Sequence, residues 1–108
     1  MLPPVRIGVL GATGPAGRGL AARLSDVGYD VLAGSREQAK AEAVVTELHE
    51  QWGDRVSRIT PCDNATACAA DVVVLAVHAD AALATARYFA DQLADKVVVS
   101  MANHLVRN

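Results

Sequence analysis

Residues 5–10 read as a short apolar strand that runs directly into Gly11-Ala12-Thr13-Gly14-Pro15-Ala16-Gly17, and a helical pattern follows at once. Glycines let a backbone turn tightly and approach a ligand closely. The first unpaired N–H groups of the helix, at its positive dipole end, then face an anion. Strand, glycine loop and helix in this order describe a nucleotide phosphate site on a parallel α/β sheet. The spacing is G-x-x-G-x-x-G, not the strict G-x-G-x-x-G. Gly14 and Gly17 keep the final pair, and Ala12 stands where the first glycine would be. A tight structural turn is the alternative.

Arg18 falls in the first turn of that helix, where its charge meets the positive dipole end. No Asp or Glu occurs from Met1 to Ala22 to offset it. A bound pyrophosphate would turn this misfit into an attraction. The other reading is a solvated arginine whose stem lies along the helix.

The rest of the chain alternates strand and helix. Ala16, Leu20, Leu24 and Val27 recur at helical spacing, which predicts a helix over 15–27 with one apolar stripe. Pro15 suits its first position and Gly28 its stop. A short strand over 29–33 follows, then a helix from 37 to about 51 with Ala41, Val44, Val45 and Leu48 inward. Trp52-Gly53-Asp54 breaks it. Residues 56–60 give a third strand and 64–69 a short alanine-rich helix. Asp71 introduces the unbroken apolar run 72–77, as in a strand covered on both faces. A helix over 80–93, with Ala82, Ala86, Phe89 and Leu93 inward, leads to a fifth strand at 97–99. Five strands and four helices predict an α/β, Rossmann-like, doubly wound parallel sheet: a single nucleotide-binding domain over 1–108 with right-handed crossovers. Ligands of such sheets bind at the carboxyl ends of the strands, where strand order reverses. Val77, His78 and Ala79, closing strand four, are expected across that crevice from the glycine loop.

Composition narrows the function. The 108 residues carry 10 basic and 12 acidic side chains with neither sign in blocks, which argues against nucleic acid and anionic membrane as partners. No apolar run reaches bilayer length and no charged-then-apolar leader opens the chain, so the cytoplasm is expected. Apolar residues make up 52% but aromatics only 4%, so Ala, Val and Leu must build the core. The C-x5-C spacing of Cys62 and Cys68 fits no common zinc or redox motif, and half-buried free thiols are expected. His49, His78 and His104 are scattered, and no metal site is indicated.

The end of strand two discriminates between dinucleotides. Sites for NAD place an acid there for the ribose 2′-hydroxyl. Here the segment is Ala33-Gly34-Ser35-Arg36, with Lys40 one helical turn further on. A hydroxyl, a guanidinium fork and a second cation form a clamp for a 2′-phosphate, which favours NADP. Ser35 and Gln38 also make a capping box at the helix start, and both roles can hold at once. The cofactor-binding candidates are Gly11, Thr13, Gly14, Pro15, Ala16, Gly17, Ser35, Arg36, Lys40, Val77, His78 and Ala79.

These segments resemble the NADPH-dependent reductases of the deazaflavin coenzyme F-420. The resemblance runs from Val5 to the C-terminus, through Val9-Leu10-Gly11-Ala12-Thr13-Gly14 with Gly17, Gly34-Ser35-Arg36, Ala39-Lys40-Ala41-Glu42-Ala43, and Val98-Val99-Ser100-Met101-Ala102-Asn103. It implies that Thr13, Ser35, Arg36 and Lys40 bind the 2′-phosphate end of NADP(H). It further implies hydride transfer between nicotinamide C4 and C5 of F-420, the redox partner. Both cofactors carry that chemistry and the protein aligns them, so no catalytic residue is assigned.

Two departures accompany the resemblance. Many relatives have proline and an aromatic residue where this chain has His78-Ala79, which leaves the floor beneath the nicotinamide open. Relatives also continue well past Met101-Ala102-Asn103, so the nucleotide half alone is expected here. Exposed apolar surface at strand five should then invite a homo-oligomer or a partner chain that supplies the missing C-terminal half. The rival functions are an NmrA-like NADP sensor without turnover and an atypical short-chain reductase. The second lacks its Tyr-x-x-x-Lys pair, because Ala33 and Gln92 follow Tyr29 and Tyr88 at that spacing.

Overall fold

The computed structural model describes residues 5–101. Its elements are β1 (Arg6–Leu10), α1 (Pro15–Asp26), β2 (Asp30–Ser35), α2 (Gln38–Trp52), a 3-10 turn (Gly53–Val56), β3 (Ile59–Asp63), α3 (Asn64–Ala67), β4 (Val72–Leu75), α4 (Ala79–Tyr88), α5 (Ala90–Leu93) and β5 (Val97–Ser100). All four strand pairings are parallel, in the order β3-β2-β1-β4-β5. Strand order reverses between β1 and β4. The predicted doubly wound, Rossmann-like sheet is therefore the observed one.

Alternation along the strands makes two layers of core. Ile7, Val9, Val31, Ala33, Ile59 and Val74 point to one face, against Ala21 of α1 and Val44, Val45 and Leu48 of α2. Leu10, Cys62, Val73 and Leu75 point to the other, with Ala67, Cys68, Phe89 and Leu93. The inward residues predicted for α2 are the buried ones. β4 is an interior strand between β1 and β5 with Val73, Val74 and Leu75 buried, and it ends at Leu75, so Ala76 and Val77 of the expected run lie in the loop beyond it.

Differences from the expected boundaries have local causes. The third strand starts three residues later than predicted, because Val56 ends a 3-10 turn. From that turn its side chain still reaches the core, at 1% exposure, so burial alone mimics a strand. Pro61 is tolerated in β3 because that strand is an edge of the sheet. β2 extends to Ser35, which pairs in register with Asp63. The helix predicted over 80–93 is two pieces, parted at Phe89.

The stripe of α1 is rotated from the predicted one. Gly17, Ala21 and Ser25 are its buried side, Leu20 and Leu24 pack beside them, and Ala16 and Val27 are exposed. Small residues at every fourth position let the helix settle onto the sheet. A Cβ on Gly17 would lie 2.5 Å from the Gly11 carbonyl oxygen and 2.8 Å from Ala12 Cα. Ser25 is buried without penalty because its Oγ accepts the Arg58 N–H at 3.0 Å. Both thiols are free and fully buried rather than half-buried. Burial, with the Asp63 charge nearby, pushes Cys62 up to about 11. Met101 is the last described residue, so Ala102, Asn103 and His104 lie outside the described residues.

Candidate functional site

The glycine loop leaves β1 with Gly11 at φ 78°, a conformation that disfavours a side chain. Space gives the same answer: a Cβ there would lie 2.8 Å from the Ala76 carbonyl and 2.9 Å from Val77 Cγ1. Gly14 is different. It is the N-cap of α1 at φ −78°, and a Cβ on it would meet only the Gly11 carbonyl oxygen, at 3.8 Å. The fold itself does not require glycine at that position, yet it borders the cavity described below.

Nothing caps α1. Gly14 has no side chain to offer, Pro15 carries no N–H, and the first turn holds no acid. The Arg18 N–H reaches the Gly14 carbonyl at 2.9 Å, and the Gly14 N–H reaches Gly11 at 3.3 Å. The N–H groups of Thr13, Ala16 and Gly17 take part in no turn or cap hydrogen bond among the described residues. Donors and dipole are thus aimed outward, as an anion site requires.

A cavity of about 780 Å³ opens over this helix end, at the carboxyl edge of the sheet. Gly11, Thr13, Gly14, Pro15 and Ala16 form one wall, Ser35 and Arg36 another, and Val77 and His78 a third. Nine of the twelve candidates thus share one space. Gly17 does not line it; it lies beneath, letting the helix approach the loop. Lys40 does not line it either. Its Nζ is 3.8 Å from Glu37 Oε2 on the exposed start of α2. Ala79 is the first residue of α4.

The rim at β2 is built differently from the capping box. Glu37, not Ser35, is the N-cap of α2, with no side-chain cap. Ser35 ends the strand, 5% exposed, and its Oγ accepts the Glu37 N–H at 3.4 Å. Gln38 instead donates to Glu42 at 3.0 Å. Arg36 is exposed and has no ion pair among the described residues. Arg18 is not aimed into the cavity: Glu47 of α2 pairs with it at 3.2 Å. The helix-end misfit is therefore relieved across the fold, by an acid distant in sequence. His78 is the N-cap of α4; its carbonyl accepts the Ala81 N–H at 2.9 Å and its ring is exposed.

Sequence reading missed Asn64, Ala76, Ala81, Thr85 and Met101, which complete the lining. Ala81 and Thr85 are one helical turn apart on α4, a spacing that could have exposed them. Among the described residues no carboxylate lines the cavity, which suits an anion. A cradle with free amides, a glycine bordering open space and an uncommitted guanidinium fits a phosphorylated dinucleotide. Among the described residues, no group of three His, Cys, Asp or Glu could hold a metal ion, and no helix is long and apolar enough to cross a membrane.

The family described as "NADP oxidoreductase coenzyme F420-dependent" matches residues 6–104. An F420-dependent NADP reductase of Methanothermobacter thermautotrophicus is 38% identical over 96 residues, covering 88% of this chain and 41% of that protein. Its counterpart from Methanocaldococcus jannaschii is 33% identical over 100 residues, covering 90% and 44%. Among solved structures, a candidate F420-dependent NADP reductase from Arthrobacter sp. superposes with a TM-score of 0.72 at 32% identity, covering 92% of this chain and 45% of that one. Synechocystis arogenate dehydrogenase, at 24% identity and a TM-score of 0.69, covering 90% and 32%, shares the fold. The chain spans less than half the length of the reductases it matches. It belongs to the family of coenzyme F420-dependent NADP oxidoreductases.

Proposed function

We propose that this chain is the NADP(H)-binding domain of a reductase that exchanges a hydride with a deazaflavin coenzyme of the F-420 type. One observation carries the reading: the uncapped, acid-free start of α1 and Arg36, which has no ion pair among the described residues, border the same cavity. In this assignment Gly14 and Ala16 cradle the diphosphate. Thr13, Ser35 and Arg36 hold the 2′-phosphate end, with Lys40 adding charge from the next turn. Val77, His78 and Ala79 border the nicotinamide end. Bound dinucleotide supplies the hydride at nicotinamide C4; the chain binds and orients it.

The free buried thiols suit a reducing, cytoplasmic setting. In this reading a second copy, or a partner chain that covers β5, supplies the second face of the hydride-transfer site. Self-association is tested by light scattering, where a stable monomer at high concentration would remove the copy-to-copy version.

The binding reading is tested by titrating NADPH and NADH against wild type and Arg36→Ala. Loss of about 1.5–3 kcal/mol of NADPH affinity with NADH nearly unchanged is expected for a charged hydrogen bond. Equal losses for both would take Arg36 off the 2′-phosphate. Incubation with NADPH and oxidised F-420, followed by deazaflavin absorbance, tests the hydride transfer itself. Saturable binding without any redox change would point to a bare binding module or a sensor.

A further inference from the structure

Asn64 opens α3 at the carboxyl end of β3, and its Oδ1 accepts the Gly11 N–H at 3.3 Å. A backbone N–H only donates, so the atom facing Gly11 must be the oxygen, and the orientation of the carboxamide is settled. Nδ2 then turns its two donors elsewhere, and among the described residues no acceptor meets them. The residue is 9% exposed. An amide kept that dry needs an acceptor, or it costs free energy.

The space beside Asn64 says where an acceptor can come from. The residue borders both the 780 Å³ cavity and an adjoining one of about 610 Å³. Ser35, Arg36, Ala81 and Thr85 line both as well, so Asn64 stands where the two hollows join, between the glycine loop and Arg36. Gly34 makes room for it: a Cβ there would lie 2.8 Å from Asn64 Oδ1. Ala67 closes the same space, its Cβ 2.9 Å from that position, so the glycine before Ser35-Arg36 admits α3 and its carboxamide together.

Resting on the dinucleotide assignment, we infer that Asn64 is a positioning residue of that site. Nδ2 donates to an anionic phosphate oxygen of the ligand, while Oδ1 holds the first glycine of the loop. One side chain then ties the ligand to the loop that receives it. A phosphate oxygen is the strongest acceptor a dinucleotide can offer an amide. The oxygen can belong to the diphosphate or to the 2′-phosphate, and the two sources separate by experiment.

The test follows the side-chain amide directly. In 1H–15N spectra of the wild-type chain, the Asn64 pair is assigned by its loss in Asn64→Asp, a variant that keeps an oxygen for Gly11 and removes the donors. Saturating NADPH should move one proton of that pair downfield and slow its exchange with water. NADH producing the same change assigns the diphosphate; NADPH alone assigns the 2′-phosphate. In parallel, Asn64→Asp should bind NADPH at least tenfold more weakly while its ligand-free melting temperature stays near wild type. An Asn64 pair that stays still while the Gly14 amide moves on saturation overturns the inference and spares the dinucleotide assignment. No NADPH-dependent shift anywhere overturns both. Should Asn64→Asp fail to fold, Asn64→Ser assigns the resonance equally well.

Discussion

The two edges of the sheet contrast in how completely the chain covers them. At the β3 edge, α2 and the 3-10 turn bury Ile59 and Val56, and Pro61 interrupts the row of backbone donors. At the β5 edge all four residues are exposed, with Val97 at 61% and Val99 at 46%. Register places Val97 and Val99 beside Val72 and Val74, at the margin of the core that α1 and α2 cover. Leu83 and Tyr88 of α4 are exposed as well, at 61% and 80%, and Tyr88 borders the smaller cavity with Ser35 and Arg36. The wing that holds the glycine loop and Arg36 is thus self-contained, and the wing that ends in β5 is open. The open strand is the surface that the proposed second copy or partner chain would cover.

That contrast can be broken by substitution. The largest effect is expected from Gly17→Val. Its Cβ would press on backbone atoms of Gly11 and Ala12, which cannot yield, and chemical denaturation should register a loss of about 3 kcal/mol. Next comes one substitution made twice. Val9→Ala, at 0% exposure in the closed wing, should cost about 2 kcal/mol. Val97→Ala in the open wing should stay within about 0.5 kcal/mol and reduce any self-association. Similar costs at both positions would mean that β5 is already covered in solution.

A further effect is an alkaline one. The fold raises Cys62 from 9.0 to about 11 and so favours its protonated form. That contribution is fully present below pH 9 and is lost as pH climbs from 9 towards 11. The stability gap between wild type and Cys62→Ala should therefore narrow across that range in thermal melts. A constant gap would show that the thiol is not buried as described.

How much could be read in advance follows from the range of each interaction. β1, the glycine loop and the inward side of α2 are set by local periodicity and turn chemistry, and they stand as expected, while β4 stops two residues short of its apolar run. Three features depended on residues far apart in sequence. Glu47 claims Arg18 across 29 positions, and no scan of the helix's own neighbourhood could find it. Asn64 reaches Gly11 across 53 positions, and its only local sign was a polar pair at the end of β3. The rotated side of α1 follows from how closely that helix sits. Small residues were passed over there because leucines dominate a hydrophobic stripe. The capping box failed for a related reason: pairing with Asp63 keeps Ser35 in its strand, so the helix begins later.

The Ala12 N–H donates to the Gly34 carbonyl at 2.9 Å, stitching the turn after β1 to the last residues of β2. The two rims therefore cannot drift independently; a single backbone hydrogen bond sets their spacing like the fixed jaws of a gauge. A guest that touches both must match a span decided before it arrives, and it loses little entropy in ordering the protein. Selectivity of this kind is for distance as well as for charge, so a molecule with the right phosphates at the wrong separation would be turned away.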